Sequence, residues 1–292
     1  MGQWTRRGLV AVAALLAGVM TAAPAAQAGL DGNGVRTVSN QEELSKLVAE
    51  HVGVTEVHID SDRNTLLILD TAFPRWMKVY AQGQTNLRVS GKVRIYAHDS
   101  AKVEAFGDAE IWASDETRVY ASGSVHVYAC KSARVDAAKT AFVTLHEEAQ
   151  ATAHGESKVF SFGTGKVRAF SNAEVKTYGA ADVTLSGEAH LDANGWGKVD
   201  ASDQAAVTLR GPGLVTASGN SHILAVGSET ITARVIASEY ARVTALNSAQ
   251  VVASGNAYIQ AHDSAQVMLA YSAHAHAFSD RVQLIVLENS EQ

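Results

Sequence analysis

The chain has 292 residues, 47% of them hydrophobic, with 24 basic side chains against 30 acidic ones for a formal net charge of −6. That balance disfavours a nucleic-acid partner, whose phosphates call for the opposite sign. The single cysteine, Cys130, rules out an internal disulfide, so packing and backbone pairing must hold the fold.

The first 28 residues read as a secretory signal peptide: Arg6 and Arg7 precede an apolar run from Leu9 to Met20, followed by the small-residue site Ala26-Gln27-Ala28. The expected mature protein begins at Gly29 and is secreted and extracellular. Thr5-Arg6-Arg7-Gly8-Leu9 also resembles a twin-arginine signal, which leaves both export routes open. The apolar run is too short to span a bilayer and no second one occurs, so membrane insertion is not expected. Cleavage removes two Arg and no acid, which takes the formal charge from −6 to −8.

Residues 29–74 read as an N-terminal cap. After a polar lead-in from Gly29 to Val38, Ser39-Asn40-Gln41-Glu42 matches a capping box with Ser39 as the N-cap. A helix is predicted from there to about His51, with Leu44, Leu47 and Val48 on its apolar stripe. Its expected role is to cover the first open strand edge of the downstream repeat. Strand-like stretches come next at Val54–Ile59 and Leu66–Leu69.

Residues 75–278 are a run of eight-residue units, each of the form turn, x, small, x, aliphatic, x, small, x. From Leu87 to Ile231 every fifth place holds a larger aliphatic residue except Ala151. Alternation over the second half of a unit marks a strand with one buried face, and Gly, Asp, Ser or Asn at the first place supplies a turn. A unit this small cannot bury its apolar face alone, so units must stack into a solenoid. The fold class expected is therefore all-β, a single parallel β-solenoid (β-helix) with a short N-terminal capping helix.

Core places filled mostly by Ala and Val suit two opposed sheets, with two units and sixteen residues per turn; a three-unit coil of twenty-four residues is the alternative, and it would scatter the aromatic residues that the shorter period brings into line. That period places Tyr80, Tyr96, Trp112, Tyr128 and Phe160 in one outward column broken only by Thr144. About a dozen coils at 4.8 Å make a rod of roughly 60 Å. The pattern stumbles once, where Glu229 falls on an inward place and Val235 to Ser238 read as four inserted residues. Because a buried unpaired carboxylate is costly, the turn there is expected to open and let Glu229 reach water. Residues 279–292 complete the chain with a last strand of shifted phase, Arg281 to Leu287, and a polar tail.

Sixteen-residue coils of paired octets are similar to the repeats of bacterial ice-nucleation proteins, and Asp99-Ser100-Ala101-Lys102-Val103-Glu104-Ala105 resembles octapeptide tracts of phage and bacterial surface proteins. The resemblance implies a β-solenoid without implying an activity. Ice nucleators carry paired outward threonines, whereas the sixth-place threonines 144, 152, 184, 208, 216 and 244 are partnered here by Phe142, Gln150, Asp182, Ala206, Leu214 and Arg242. Only Thr230 and Thr232 form such a pair.

The aromatic column is the sharpest candidate for a ligand- or partner-binding site, because rigid amphipathic rings suit sugar rings or a partner protein. The same column also reads as a cross-strand ladder that stabilises the sheet. Glu174, Lys176, His190 and Asp192 gather on neighbouring coils, as a glycosidase or lyase needs, or as alternating charges that satisfy one another. His274 and His276 share a strand face without a third ligand, so no metal site is assigned. No nucleophile elbow, zinc-protease helix or phosphate loop occurs, and Gly163-Thr164-Gly165, Gly195-Trp196-Gly197 and Gly211-Pro212-Gly213 fall at solenoid corners. No catalytic residue and no cofactor is assigned.

Together these readings point to a secreted, non-enzymatic scaffold, structural or binding, of the surface or adhesion type. Its expected partner is a polysaccharide, another cell-envelope component or a protein. A polysaccharide-active β-helix enzyme and an ice-binding protein are the alternatives.

Overall fold

A computed structural model describes residues 34–287 apart from His51, Ala72, Arg75 and Glu229. The expected signal peptide with its cleavage site, the start of the lead-in, the environment of Glu229 and the polar tail lie outside the described residues. Among those described are twenty-nine short strands, β1 (Val35–Val38) through β29 (Gln283–Val286), and one helix, α1 (Gln41–Ala49). The even strands together with β1 form one fifteen-stranded sheet, here sheet A. The odd strands from β3 (Leu66–Leu69) onward form a fourteen-stranded sheet, here sheet B. Every pairing is parallel, and from β2 onward successive strands alternate between the sheets, so the chain winds as a solenoid of about fourteen coils, ~65 Å long at 4.8 Å per coil.

Register confirms the sixteen-residue coil. Val79 pairs with Ile95, Ile95 with Ile111 and Ile111 with Val127 on sheet A, while Val103 pairs with Val119 and Val119 with Val135 on sheet B. The fifth and seventh places point inward: Val127, Val143 and Val215 are fully buried, as are Ala97, Ala137 and Ala217. A small or β-branched residue at the third place closes the corner from inside, often Ala, as at Ala101, Ala133 and Ala205. Two sheets separated by little more than Ala and Val make a thin core. Each buried Val contributes about 1.5–3 kcal/mol, and repetition makes the total large.

The corners come in two kinds. Most place one residue in the left-handed region, as at Asp99 (φ 60°) and Asp203 (φ 56°), which explains the Gly, Asp and Asn at the first place. An acidic residue there has a second use. The Asp99 carboxylate accepts the Gly83 N–H at 2.9 Å and the Asp203 carboxylate accepts the Gly187 N–H at 3.1 Å, one coil earlier in each case.

The second kind is a stack of glycines on one edge. A Cβ on Gly179, Gly195 or Gly211 would overlap the carbonyl oxygen of the glycine one coil below, at Gly163, Gly179 and Gly195 respectively. Backbone contact between coils, rather than a positive φ, demands glycine at these places.

Two expectations are corrected. The helix is capped by Asn40 and not by Ser39: the Asn40 side chain accepts the Glu43 N–H at 3.0 Å, and the Glu43 carboxylate reaches back to the Ser39 N–H at 2.7 Å. The box is thus displaced by one residue, because its acidic partner is Glu43 and not Glu42.

The four extra residues are not Val235 to Ser238. Strand β23 (Arg234–Ala237) contains Val235 in register with Val215 and Val251, so the insertion lies between Val226 and Arg234. Ile231-x-Ala233 and Val235-x-Ala237 both satisfy the octet, but the first phase puts Glu229 at the inward third place and the second puts Ala233 there, fully buried. Avoiding a buried carboxylate decides between them. The loop is pinned by the Asn247 side-chain amide, which donates to the Gly227 carbonyl at 3.0 Å.

Candidate binding face on sheet A

The outward side of sheet A carries the sequence-predicted column. Register places Tyr80, Tyr96, Trp112, Tyr128, Thr144 and Phe160 side by side on successive strands. Parallel pairing without offset sets neighbouring rings about one strand spacing apart, so they stack. The centroid separations are 5.2 Å for Tyr80–Tyr96, 5.2 Å for Tyr96–Trp112 and 5.1 Å for Trp112–Tyr128, with interplanar angles of 27°, 24° and 18°. The Arg94 guanidinium lies 5.0 Å from the centre of the Trp112 ring and is also bonded to Glu110.

Stacking changes what the strip can offer. Interior rings use both faces on one another and show edges and polar tips outward; Tyr96 is only 8% exposed. Burial, with Glu56 and Tyr96 nearby as secondary causes, raises the Tyr80 phenol to about 12. A ligand would therefore meet the rims of the stacked interior rings rather than their open faces.

Phe160 is in the column by register but not in the stack. Thr144 interrupts the ladder, and the Phe160 ring instead packs on Phe142 at 5.0 Å, which in turn stacks on His126 at 5.4 Å. The Lys176 ammonium stands 5.8 Å from the Phe160 ring.

Other aromatic contacts fall outside the octet pattern or at its eighth place. His58 heads the ladder at 4.9 Å from Tyr80, and its Nε2 lies 2.7 Å from the Glu56 carboxylate. The sequence hides this contact because Val57 pairs with Val79, twenty-two residues on, outside the regular period. A second ladder, His146–Phe162–Tyr178, runs along the corner at the eighth place with separations of 5.3 and 5.0 Å. Reading the eighth place down successive coils would have found it.

C-terminal to the ladder, the same face forms a shallow groove of about 930 Å³ lined by Lys158, Glu174, Lys176, His190, Asp192 and Arg210 among others. Glu174 lies beside His190, and Lys176 beside Asp192, as the sixteen-residue period requires. The carboxylates are neutralised by cations: Lys158 sits 2.8 Å from Glu174 and holds its carboxyl below the usual range by hydrogen bonding, while Arg210 pairs with Asp192. A general acid needs the opposite shift for Glu174.

His274 and His276 both lie exposed on the last strand of sheet A, and among the described residues no group of three or more His, Cys, Asp or Glu could hold a metal ion. Thr230 and Thr232 fall in the inserted loop rather than on a strand. Among the described residues no helix is long and apolar enough to cross a membrane. No protein-family model, curated protein or solved structure matches the chain.

Proposed function

We propose that the chain is a secreted, non-enzymatic β-solenoid that acts outside the cell as a structural or binding scaffold of the surface or adhesion type. The observation that carries this reading is the form of sheet A: a continuous, fully paired parallel face on which an aromatic ladder and a charged groove lie in line, joined by short corners. Rigid presentation lowers the ordering cost of binding an extended partner. The ladder's hydroxyls and ring edges, with the mixed charges beyond them, suit a polysaccharide or another cell-envelope component whose repeat runs along the rod. Tyr80, Tyr96, Trp112 and Tyr128 form the contact strip in this reading, with Phe160 at the entry to the groove.

The purified protein, incubated with insoluble polysaccharides and envelope material, should be depleted from solution without releasing soluble sugar and without thermal hysteresis. Sugar release would replace the proposal by a polysaccharide-active enzyme, and hysteresis by an ice-binding protein. For secretion, the intact mass of protein from culture fluid should correspond to a chain starting at Gly29; retention of residues 1–28 would overturn that part.

A further inference from the structure

The two ends of the rod are built differently. At the N-terminal end, helix α1 lays Leu44 and Leu47, both fully buried, over the core, and its Gln41 side chain bonds the edge strand β3. At the other end, strands β28 (His274–Ala277) and β29 are the last of their sheets, and among the described residues nothing pairs with their outer edges. Leu284 and Val286 continue the inward columns of Val267 and Leu269, yet are 46% and 63% exposed where Val267 and Leu269 are 2% and 6%. Ile285, Leu287 and Phe278 are also about half exposed, at 54%, 48% and 53%. Among the described residues nothing covers the core at this end.

We propose that this end is a self-association surface, on which a second copy of the chain docks tail to tail. Three observations select that occupant. First, the surface is a cross-section of the solenoid, two open strand edges flanking an apolar centre, and the end of another solenoid coil matches both features at once. Second, the terminal strands read His-Ala-His-Ala and Gln-Leu-Ile-Val, without Lys, Arg, Asp or Glu, so two copies meet without like-charge repulsion between their strands.

Third, the area suffices. At about 35 Å² per contacting residue, a terminal coil of some sixteen residues buries ~560 Å² on each copy and ~1,120 Å² in all, above the ~1,000 Å² that a specific interface needs and close to the lower end of stable ones. Because α1 covers the β3 edge and the core at the opposite end, that end offers no matching bare coil for head-to-tail stacking, and the contact is isologous, closing at two copies instead of running on into a fibre.

The test is sedimentation velocity on the full chain at rising micromolar concentrations, with small-angle scattering to measure the longest dimension. The expected result is a dimer about twice the ~65 Å length of a single rod, with unchanged thickness. Leu284→Asp combined with Val286→Asp, and separately Ile285→Lys, should weaken association about thirtyfold or more, while Tyr120→Lys on the middle of sheet B should not. Circular dichroism checks that the variants remain folded, and the scattering on the unaltered chain stands without them.

A native chain that stays monomeric, a dimer that is thicker rather than longer, or oligomers larger than two would each overturn the proposal. So would folded end variants that still dimerise. Association that appears only after the chain is cut back to Leu287 would likewise overturn it, by showing that residues 288–292 cover the end.

Discussion

The side-chain amide of Gln41 stands in for a missing strand: its Oε1 accepts the Ile68 N–H at 2.7 Å and its Nε2 donates to the Ile68 carbonyl at 3.0 Å. Ile68 is on β3, the last strand of sheet B at the N-terminal end, so one helical side chain satisfies both outward backbone groups of an edge residue. The sheet is thereby blunted where it would otherwise offer a template for another strand.

Gln41→Ala should therefore remove two hydrogen bonds that water can partly replace, lowering stability by about 1 kcal/mol. It should also raise the tendency to aggregate on partial heating. Thermal melting with light scattering measures both, and a variant with unaltered scattering would show that the helix protects the edge by bulk alone.

Glycine at the stacked corner and glycine at a left-handed corner should respond differently to alanine. Gly91 has φ +86° and open space where a Cβ would go, so Gly91→Ala should cost about 1–2 kcal/mol of backbone strain. A Cβ on Gly195 would overlap the Gly179 carbonyl oxygen, so Gly195→Ala must push coils apart and should cost clearly more. Equal losses in urea unfolding would contradict the close approach.

Inward and outward places should separate in the same way. Val167→Asp or Val215→Asp puts an unpaired charge into a dry core and should cost several kcal/mol, as the residues are 1% and 0% exposed. Arg168→Ala and Thr216→Ala, on the exposed face, should stay within about 0.5 kcal/mol. Ala113→Leu tests the thinness of the core: overpacking between two close sheets should lose roughly 1–3 kcal/mol.

Trp112 joins the two halves of the ladder. Trp112→Ala should lower stability by about 1–3 kcal/mol through two lost ring stacks, and weaken retention on polysaccharide or envelope material by roughly 2 kcal/mol. Trp112→Phe should restore most of the stability. Melting that falls with unchanged retention would reduce the strip to packing and remove it as a binding site.

The Tyr80 phenol supplies a pH test. Its folded value of about 12 lies above the ordinary value of 10.0, so the folded state holds this proton more tightly than the unfolded chain. The linked stabilisation is fully present below pH 10 and is lost as pH rises from there through about 12. Ultraviolet titration of the phenolates should show a late-titrating tyrosine that is absent in Tyr80→Phe.

Much of this molecule was legible in its sequence because the octet is written in residue types that act locally. Val119, Val127 and Val135 announce inward places every eight residues, Asp99 and Gly83 announce left-handed corners, and period two makes the opposite face outward. Once two units share a coil, register comes by counting, and Tyr80, Tyr96, Trp112 and Tyr128 must lie in one column. Three matters needed the tertiary structure. Whether Ile231 or Val235 enters the core is decided by the pairing of β23, because both phases satisfy the octet; the sequence marks Glu229 as a misfit without fixing which residues are the extra ones. Whether Asn40 or Ser39 caps the helix depends on how the carboxylate of Glu43 folds back. That Phe160 abandons the Tyr column for Phe142 depends on side-chain direction across neighbouring coils, because Thr144 offers no ring face and Phe142 does. Periodicity determines which residues share a face, while only packing in three dimensions decides which of them touch.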